Sequence, residues 1–199
     1  MKCSECKESY CDKKIVKNCA SAYTNQQNIL DEYLLVSNLE FAKNASLVSM
    51  SLNGKKTRIE ELIEFAHLMD YKRLGLCFCV GLKNEAGIVK KILEANGFEV
   101  ISIMCKTGGI DKSLLGIENG GNAMCNPIGQ ALFLNKAKTE FNIIVGLCVG
   151  HDSLVFQYSN APVTVLATKD KVLAHNPLGC IYTLDGYYSE KLLPNKSDL

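Results

Sequence analysis

The chain has 199 residues, with 22 basic and 21 acidic side chains and 47% hydrophobic residues. A formal net charge of +1 argues against a protein that grips a polyanion, which needs a concentrated basic surface. No apolar run approaches the length of roughly eighteen residues typical of a transmembrane helix. The N-terminus also lacks the apolar core of a secretory signal. We therefore expect a cytoplasmic protein with neither a membrane nor a nucleic acid as its partner.

Ten cysteines are the unusual feature of the composition. In a reducing compartment, thiols serve either as small buried apolar residues or as ligands for a soft metal. Four of them lie among polar residues at the start of the chain: Cys3, Cys6, Cys11 and Cys19. This segment has too few large apolar residues to bury its thiols, and a close pair of cysteines is typical of a metal site. We predict a metal-binding head over residues 1–21 that holds zinc or an iron–sulfur cluster, which would be the second cluster beside the one predicted below at the sheet edge. The competing interpretation is a flexible, oxidisable tail.

Helices and strands are predicted to alternate along the rest of the chain. Residues 22–45 predict a long linking helix, and a second helix follows Thr57, where Glu60 completes a capping box. Strands are predicted at 74–80, 99–104, 142–148 and 162–167, with helices at 83–96, at 127–139 and from about 152. This order predicts an α/β domain over residues 46–199, in which a three-layer, mostly parallel sheet is flanked by helices.

Four further cysteines fall where such a topology brings separate segments together. Cys79, Cys105 and Cys148 lie at strand ends, and Cys125 immediately precedes the helix that starts at Pro127. Sites in open parallel sheets form beyond the carboxyl ends of the strands. We therefore predict that these four thiols hold an iron–sulfur cluster, of the 4Fe-4S type, at one sheet edge. Zinc is less favoured because its ligands usually come in close pairs; four independent buried cysteines are the competing interpretation.

Other residues near this edge are candidates for chemistry. His151 and Asp152 follow Cys148 closely, and we predict that they transfer protons, with Asp152 also serving as a helix N-cap. The alternatives for His151 are a metal ligand, a hydrogen-bond donor to cluster sulfur and a purely structural use. The glycine-rich segment 106–124 is long enough to be a binding loop or a lid. Two remaining cysteines are assigned to packing: Cys77 and Cys180.

Three segments of the chain carry a resemblance to a known family. Residues 125–131, 146–152 and 161–166, the last together with 169–170 and 175–177, are similar to those of the domain-of-unknown-function family numbered eighteen forty-seven, which is described as predicted metal-binding proteins of anaerobic bacteria and archaea. The resemblance implies metal binding without an activity, and it carries over Cys105, Cys125, Cys148 and the Gly-His-Asp segment. The arrangement is also similar to small α/β iron–sulfur desulfidases, which hold a cluster by three cysteines and leave one iron free.

Three functions follow from these patterns. The first is an iron–sulfur enzyme of the sulfur-handling or lyase type, which acts on a small substrate with a sulfur or oxygen atom bound at an open iron. The second is an electron-transfer or metal-sensing module that meets a redox partner. The third is a zinc-stabilised binding protein without catalysis.

Overall fold

The computed structural model describes residues 3–7, 11, 19–20, 25–51, 54–117 and 123–193. The chain divides into two compact units, Met1–Lys55 and Lys56–Leu199. The first unit contains helices α1 (Gln26–Leu34) and α2 (Val36–Ser51). None of the helices in these described ranges is both long and apolar enough to cross a membrane.

Two consecutive helices replace the single linking helix predicted over residues 22–45. Asn25 caps α1, because its side-chain oxygen accepts hydrogen bonds from the backbone N–H groups of Gln27 and Asn28. The break falls at Leu35, where the ψ angle of 133° turns the chain out of the helix and the N–H donates to the Glu32 carbonyl at 3.3 Å. Because neither glycine nor proline marks this position, the helical periodicity of the sequence runs through it and predicts one uninterrupted helix.

The second unit is the α/β body. Its elements are α3 (Arg58–Leu68), β1 (Arg73–Phe78), α4 (Lys83–Ala95), β2 (Glu99–Met104), α5 (Pro127–Lys136), β3 (Phe141–Val145), α6 (His151–Tyr158), β4 (Val163–Ala167), α7 (Gly179–Tyr182) and α8 (Ser189–Leu192). The four strands pair in the order β2-β1-β3-β4, and every pair is parallel. The predicted α/β fold, a parallel sheet flanked by helices, is confirmed.

Local signals set the helix boundaries of this body. At the start of α3, Thr57 donates its backbone N–H and its hydroxyl to the Glu60 carboxylate, at 2.7 and 2.6 Å. Helix α5 begins at Pro127, and the Asn126 side chain accepts the backbone N–H of Gly129 at 2.9 Å. Both capping residues, Thr57 and Asn126, stand in the sequence directly before the first residue of their helix.

Helices cover both faces of the sheet because strand side chains alternate between them. Cys77, Ile103 and Ile144 point to the face that α5 and α6 cover, within one buried apolar cluster. On the other face, Phe65 of α3 packs against Phe141 of β3, with ring centroids 5.5 Å apart and the ring planes tilted by 54°. Helix α4 crosses from β1 to β2 and buries two side chains, while β1 and β3 are almost completely enclosed.

A glycine in the middle of β1 makes room for a buried polar side chain. Gly75 pairs with Asn142 in the register, and a Cβ on Gly75 would lie 1.9 Å from the Asn142 side-chain oxygen. That oxygen accepts the Thr139 hydroxyl at 2.7 Å, and the amide donates to the Ser159 hydroxyl at 2.7 Å. A fully buried amide therefore has partners on both of its ends.

Candidate functional site

All four strands deliver a polar or sulfur side chain to the carboxyl edge of the sheet. Cys79 follows β1 directly and Cys105 follows β2 directly. Cys148 lies shortly after β3, Lys169 lies shortly after β4, and Cys125 stands just before α5. The strand order places the topological switch point between β1 and β3, where ligands bind in sheets of this type.

Backbone hydrogen bonds beyond the strand ends hold in place the main chain of the residues that carry the sulfurs. The N–H of Cys105 donates to the Phe78 carbonyl at 2.9 Å, and that of Cys79 donates to the Val145 carbonyl at 3.2 Å. Asn126 then donates its backbone N–H to the Cys105 carbonyl at 2.7 Å, which brings the segment before α5 against the end of β2. The convergence of these cysteines is thus a property of the backbone.

The side chains form two neighbouring contacts. The sulfurs of Cys125 and Cys105 lie 3.6 Å apart, and Cys79 and Cys105 are near enough for each to influence the pKa of the other. Lys169 makes the second contact, since its ammonium donates to the Cys79 sulfur at 2.8 Å and to the Cys148 sulfur at 3.2 Å. The four predicted cysteines are therefore brought together, with a lysine between two of them.

Two backbone groups add hydrogen bonds to these sulfurs. The N–H of Val80 points at the Cys105 sulfur and that of Gly81 at the Cys79 sulfur, each at 3.4 Å. Both belong to the short 3₁₀ turn Val80–Leu82 that follows β1. N–H groups directed at sulfur favour the thiolate over the thiol, and they are one of the means by which proteins tune metal–thiolate centres.

The two buried sulfurs of the cluster, those of Cys79 and Cys105, differ in how readily they ionise. Burial raises the pKa of Cys79, but the hydrogen bond from Lys169, the Gly81 N–H and the lysine charge together bring the pKa below its ordinary value. Burial raises the pKa of Cys105 to about 11; the Val80 N–H opposes this increase, and the neighbouring Cys125 and Cys79 add to it. Cys79 therefore ionises more readily than Cys105, which stays a thiol at neutral pH.

The lysine responds in the opposite sense. The hydrogen bond to the Cys79 sulfur raises the pKa of Lys169, burial opposes this increase, and the bond to Cys148 adds to it. An ammonium is thus retained next to the sulfurs at every physiological pH.

Exposure shows from which side the cluster can be reached. Cys79 and Cys105 are 3% and 2% exposed, so their sulfurs form the floor of the site. Cys125, Cys148 and Lys169 are half-buried and form its rim. A small molecule would approach across the rim.

The loop that carries Lys169 is tightly held. The Asp170 carboxylate accepts the backbone N–H groups of Val172 and Leu173, each at 2.9 Å, and the Asp170 N–H donates to Nδ1 of His175 at 3.1 Å. Ala174 and His175 both have positive φ angles, 49° and 64°. Non-glycine residues hold this strained conformation only where the surroundings enforce it, and such residues cluster at functional sites.

The two predicted proton-transfer residues open α6, close to Cys148. The backbone N–H groups of His151 and Asp152 both donate to the Cys148 carbonyl, at 2.9 and 3.2 Å, and both residues are half-buried. The prediction that Asp152 caps this helix is wrong: Gly150, with φ 83°, occupies the N-cap, and Asp152 lies in the first turn, where its carboxylate accepts the Ser153 N–H. Only a glycine adopts this backbone readily, which explains the shift.

The loop between β2 and α5 is anchored next to Cys125. The Asn126 amide donates to the Gly108 carbonyl at 2.8 Å, and Asp111 bridges to Ala123 in an antiparallel pair. Residues 118–122 lie outside the described part of the chain. The interpretation of this segment as a binding loop stays a prediction.

The other cysteines occupy separate places. Cys77 is completely buried in β1, where burial raises its pKa to about 12, and Cys180 of α7 directs its sulfur to the Pro177 carbonyl at 3.1 Å. In the head, three cysteines are exposed and one is half-buried: Cys3, Cys6, Cys11 and Cys19. Most residues between these four fall outside the described ranges, so metal binding by the head stays a prediction.

The edge cysteines fit a soft metal by the chemistry of their donor set. Four sulfurs converge from separate segments, two N–H groups point at them, and thiolates are the ligands preferred by zinc and iron–sulfur clusters. Within the ranges that the structure describes, no three His, Cys, Asp or Glu side chains are arranged to hold a metal ion as they stand. The Lys169 ammonium links Cys79 and Cys148, so metal binding at these two sulfurs requires it to turn aside.

Lys169 is the site residue that the sequence analysis missed. The signal was available, because Lys169 follows a strand end by the same rule that located Cys79, Cys105 and Cys148. A lysine after a strand is common on protein surfaces, however, and only the fold shows that its side chain reaches the sulfurs.

Comparison with known proteins identifies the family. The chain is 48% identical over 200 residues to the uncharacterized protein MJ0455 of Methanocaldococcus jannaschii, an alignment that covers 98% of this chain and 100% of that protein. Residues 16–166 match the family model described as "Protein of unknown function (DUF1847)". The matched stretch contains all four edge cysteines and stops shortly before Lys169. The chain belongs to the DUF1847 family, as its resemblance predicts.

Proposed function

We propose that this protein holds an iron–sulfur cluster at the carboxyl edge of its sheet and uses it on a small substrate. The candidate ligands are Cys79, Cys105, Cys125 and Cys148. The observation that carries the proposal is that these side chains come together at the switch point from three strand ends and one helix start: Cys125 contacts Cys105, and Lys169 bridges Cys79 and Cys148. Independent buried cysteines would have no reason to converge in this way.

The way in which the ligands are supplied favours a cluster. Each cysteine comes singly from a different loop, whereas structural zinc sites usually draw close pairs from tight turns. The N–H groups of Val80 and Gly81 point at two of the sulfurs, as expected where charge on cluster sulfur has to be stabilised.

A substrate is favoured over a closed centre because one side of the site is open. Cys125, Cys148 and Lys169 form a half-buried rim above the two buried sulfurs. Where three cysteines bind a cluster, the remaining iron is open to a sulfur or oxygen atom of a substrate and acts as a Lewis acid. His151 and Asp152, which directly follow Cys148 at the start of α6, are the proposed proton-transfer residues.

A single zinc ion is the second candidate. The 3.6 Å between the sulfurs of Cys105 and Cys125 is close to the sulfur–sulfur separation of about 3.8 Å in a tetrahedral site with Zn–S distances of about 2.3 Å. Thiolates that bind different irons of a cluster lie farther apart, so a cluster requires these two side chains to separate.

Anaerobic purification followed by visible absorption, metal analysis and sulfide analysis tests the proposal. The expected result is a brown protein whose iron and sulfide fall when Cys105 or Cys148 is changed to alanine. Cys77→Ala is the matched control, because its sulfur packs in β1 away from the rim, and it should keep the full metal content. The variants are made in a Cys6→Ser background so that any metal in the head is not counted.

Two results would contradict the proposal. A colourless protein with stoichiometric zinc would replace the cluster by the second candidate. Full metal retention in a triple variant of Cys105, Cys125 and Cys148 would mean that the edge does not bind metal at all.

A further inference from the structure

Lys169 is a half-buried cation without a carboxylate partner among the residues that the structure describes. Its ammonium has three N–H donors, and two of them are directed at the sulfurs of Cys79 and Cys148. The nearest acid along the chain, Asp170, uses its carboxylate on the N–H groups of its own loop. Asp152 likewise accepts a backbone N–H in α6.

Metal binding would change what this ammonium faces. The following step rests on the proposed function, in which Cys79 and Cys148 are metal ligands. A thiolate that shares its electron pair with a metal offers less negative charge to a neighbouring cation. The bonds within the 170–175 loop hold the backbone next to Lys169, so an ammonium that turns aside from the two sulfurs would stay within a side-chain length of the metal, with N–H groups left to satisfy.

The position of this cation suits a ligand that enters across the rim. Lys169 lies at the end of β4 and reaches over β3 to the end of β1, across the switch point where ligands of parallel sheets bind. The ammonium is half-buried, and a hydrogen-bonded ion pair in such a site is stronger than one in water.

We infer that Lys169 binds the anionic group, a carboxylate, of a small substrate whose sulfur or oxygen atom reaches the metal centre. Because the ammonium lies 2.8 Å from one candidate ligand sulfur, the carboxylate and the metal-binding atom belong within a few bonds of each other. Short-chain thiol acids are the substrate class that meets this condition. Lys169 is then a specificity-determining residue, and neutral thiols of the same size are poorer ligands.

A matched pair of probes tests this inference on the metal-loaded protein. 3-Mercaptopropionate and 3-mercaptopropanamide have nearly the same shape, and only the first carries a negative charge. Isothermal titration calorimetry under anaerobic conditions gives a dissociation constant for each probe, whatever the metal. We expect the wild type to bind the carboxylate at least tenfold more tightly than the amide, and Lys169→Met to reduce this ratio to about one.

Lys106→Met is the matched control, because Lys106 is an exposed lysine beside Cys105 whose ammonium donates to the Ala123 carbonyl. It should keep the wild-type ratio. Lys169→Gln replaces Lys169→Met if the latter loads no metal, and loss of metal from both would overturn the inference by making Lys169 part of the metal site.

Metal content is measured first, because it distinguishes a failure of the proposed function from a failure of the role assigned to Lys169. A wild-type protein with its metal but with equal affinity for the two probes overturns the role of Lys169 and leaves the proposed function standing. A ratio that survives in Lys169→Met does the same. A wild-type protein without metal at the edge overturns the proposed function, and this inference falls with it.

Discussion

The ionisation of Cys79 should depend on Lys169 in the metal-free protein. Changing Lys169 to methionine keeps an unbranched side chain that is one atom shorter, and it removes the charge and the hydrogen bond of 2.8 Å to the sulfur. Burial, which raises the pKa of Cys79, would then be opposed only by the Gly81 N–H and by the neighbouring Cys105. We therefore expect the pKa of Cys79 to rise in the variant.

The size of the effect follows from the contact that is lost. A hydrogen bond to a charged group contributes about 1.5–3 kcal/mol, and one pKa unit corresponds to about 1.4 kcal/mol. Since Lys169 is half-buried and partly screened by solvent, we take the lower end, an increase of about one unit. A more basic thiolate is also more nucleophilic, so alkylation should be about threefold slower below both pKa values and about threefold faster above them.

Iodoacetamide labelling of metal-stripped protein across a range of pH measures this change. Trypsin releases the peptide 74–83, which contains Cys79 and also Cys77, a completely buried thiol with a pKa of about 12 that serves as an internal reference. Fragment ions distinguish the two sulfurs, and Lys106→Met controls for a nearby loss of charge. Superimposable profiles for wild type and Lys169→Met, with no crossing of the two rate curves, would refute the assigned contact.

Three further predictions concern stability and the head. Gly75→Ala should lower the free energy of unfolding, measured by urea denaturation, by about 1–3 kcal/mol, because the new Cβ would meet the Asn142 side chain at 1.9 Å. Gly87→Ala in α4 is the control: it has open space around it and should be neutral or slightly stabilising. Equal effects of the two changes would contradict this packing. Thr57→Ala should cost about 1 kcal/mol by removing the side-chain part of the α3 capping box, and an unchanged midpoint would show that this cap contributes nothing. Cys6→Ser should release metal from the head and expose it to proteases while the α/β body stays folded, and the same proteolysis with and without metal would rule out a metal-folded head.

Much of the α/β body could be predicted because its signals are local. The apolar run of β1, the Pro127 start of α5 and the Thr57 capping box each act through neighbouring residues, and the structure has all three. The break at Leu35 could not be predicted, because it is an extended residue between two helical segments with no proline or glycine to mark it. The N-cap of α6 moved to Gly150 for a conformational reason that the Asp152 side chain does not reveal.

The cysteines of the site could be located from sequence only by way of topology. Their spacing along the chain fits no metal motif, but parallel strands deliver their carboxyl ends to one edge, and that rule placed Cys79, Cys105 and Cys148 there. Lys169 obeys the same rule, yet its role depends on a side chain that reaches a sulfur 90 positions away in the sequence. Such a contact exists only after β4 is placed beside β3.

The two sides of the sheet edge differ in charge: one holds Cys79, Cys148 and the Lys169 ammonium, and the other holds Cys105 and Cys125. One ammonium, that of Lys169, offsets the charge of about one thiolate, and it is shared between Cys79 and Cys148. Among the residues that the structure describes, no cationic side chain donates to the sulfurs of Cys105 and Cys125, and Cys105 keeps its proton up to a pKa of about 11. Burial opposes the ionisation of Cys105, and a positive charge placed beside that sulfur would favour it. In the proposed function a metal centre would supply that charge and displace the thiol proton as it binds, so that Lys169 would prepare one side of the site and Cys105 and Cys125 would become ligands when the metal arrives.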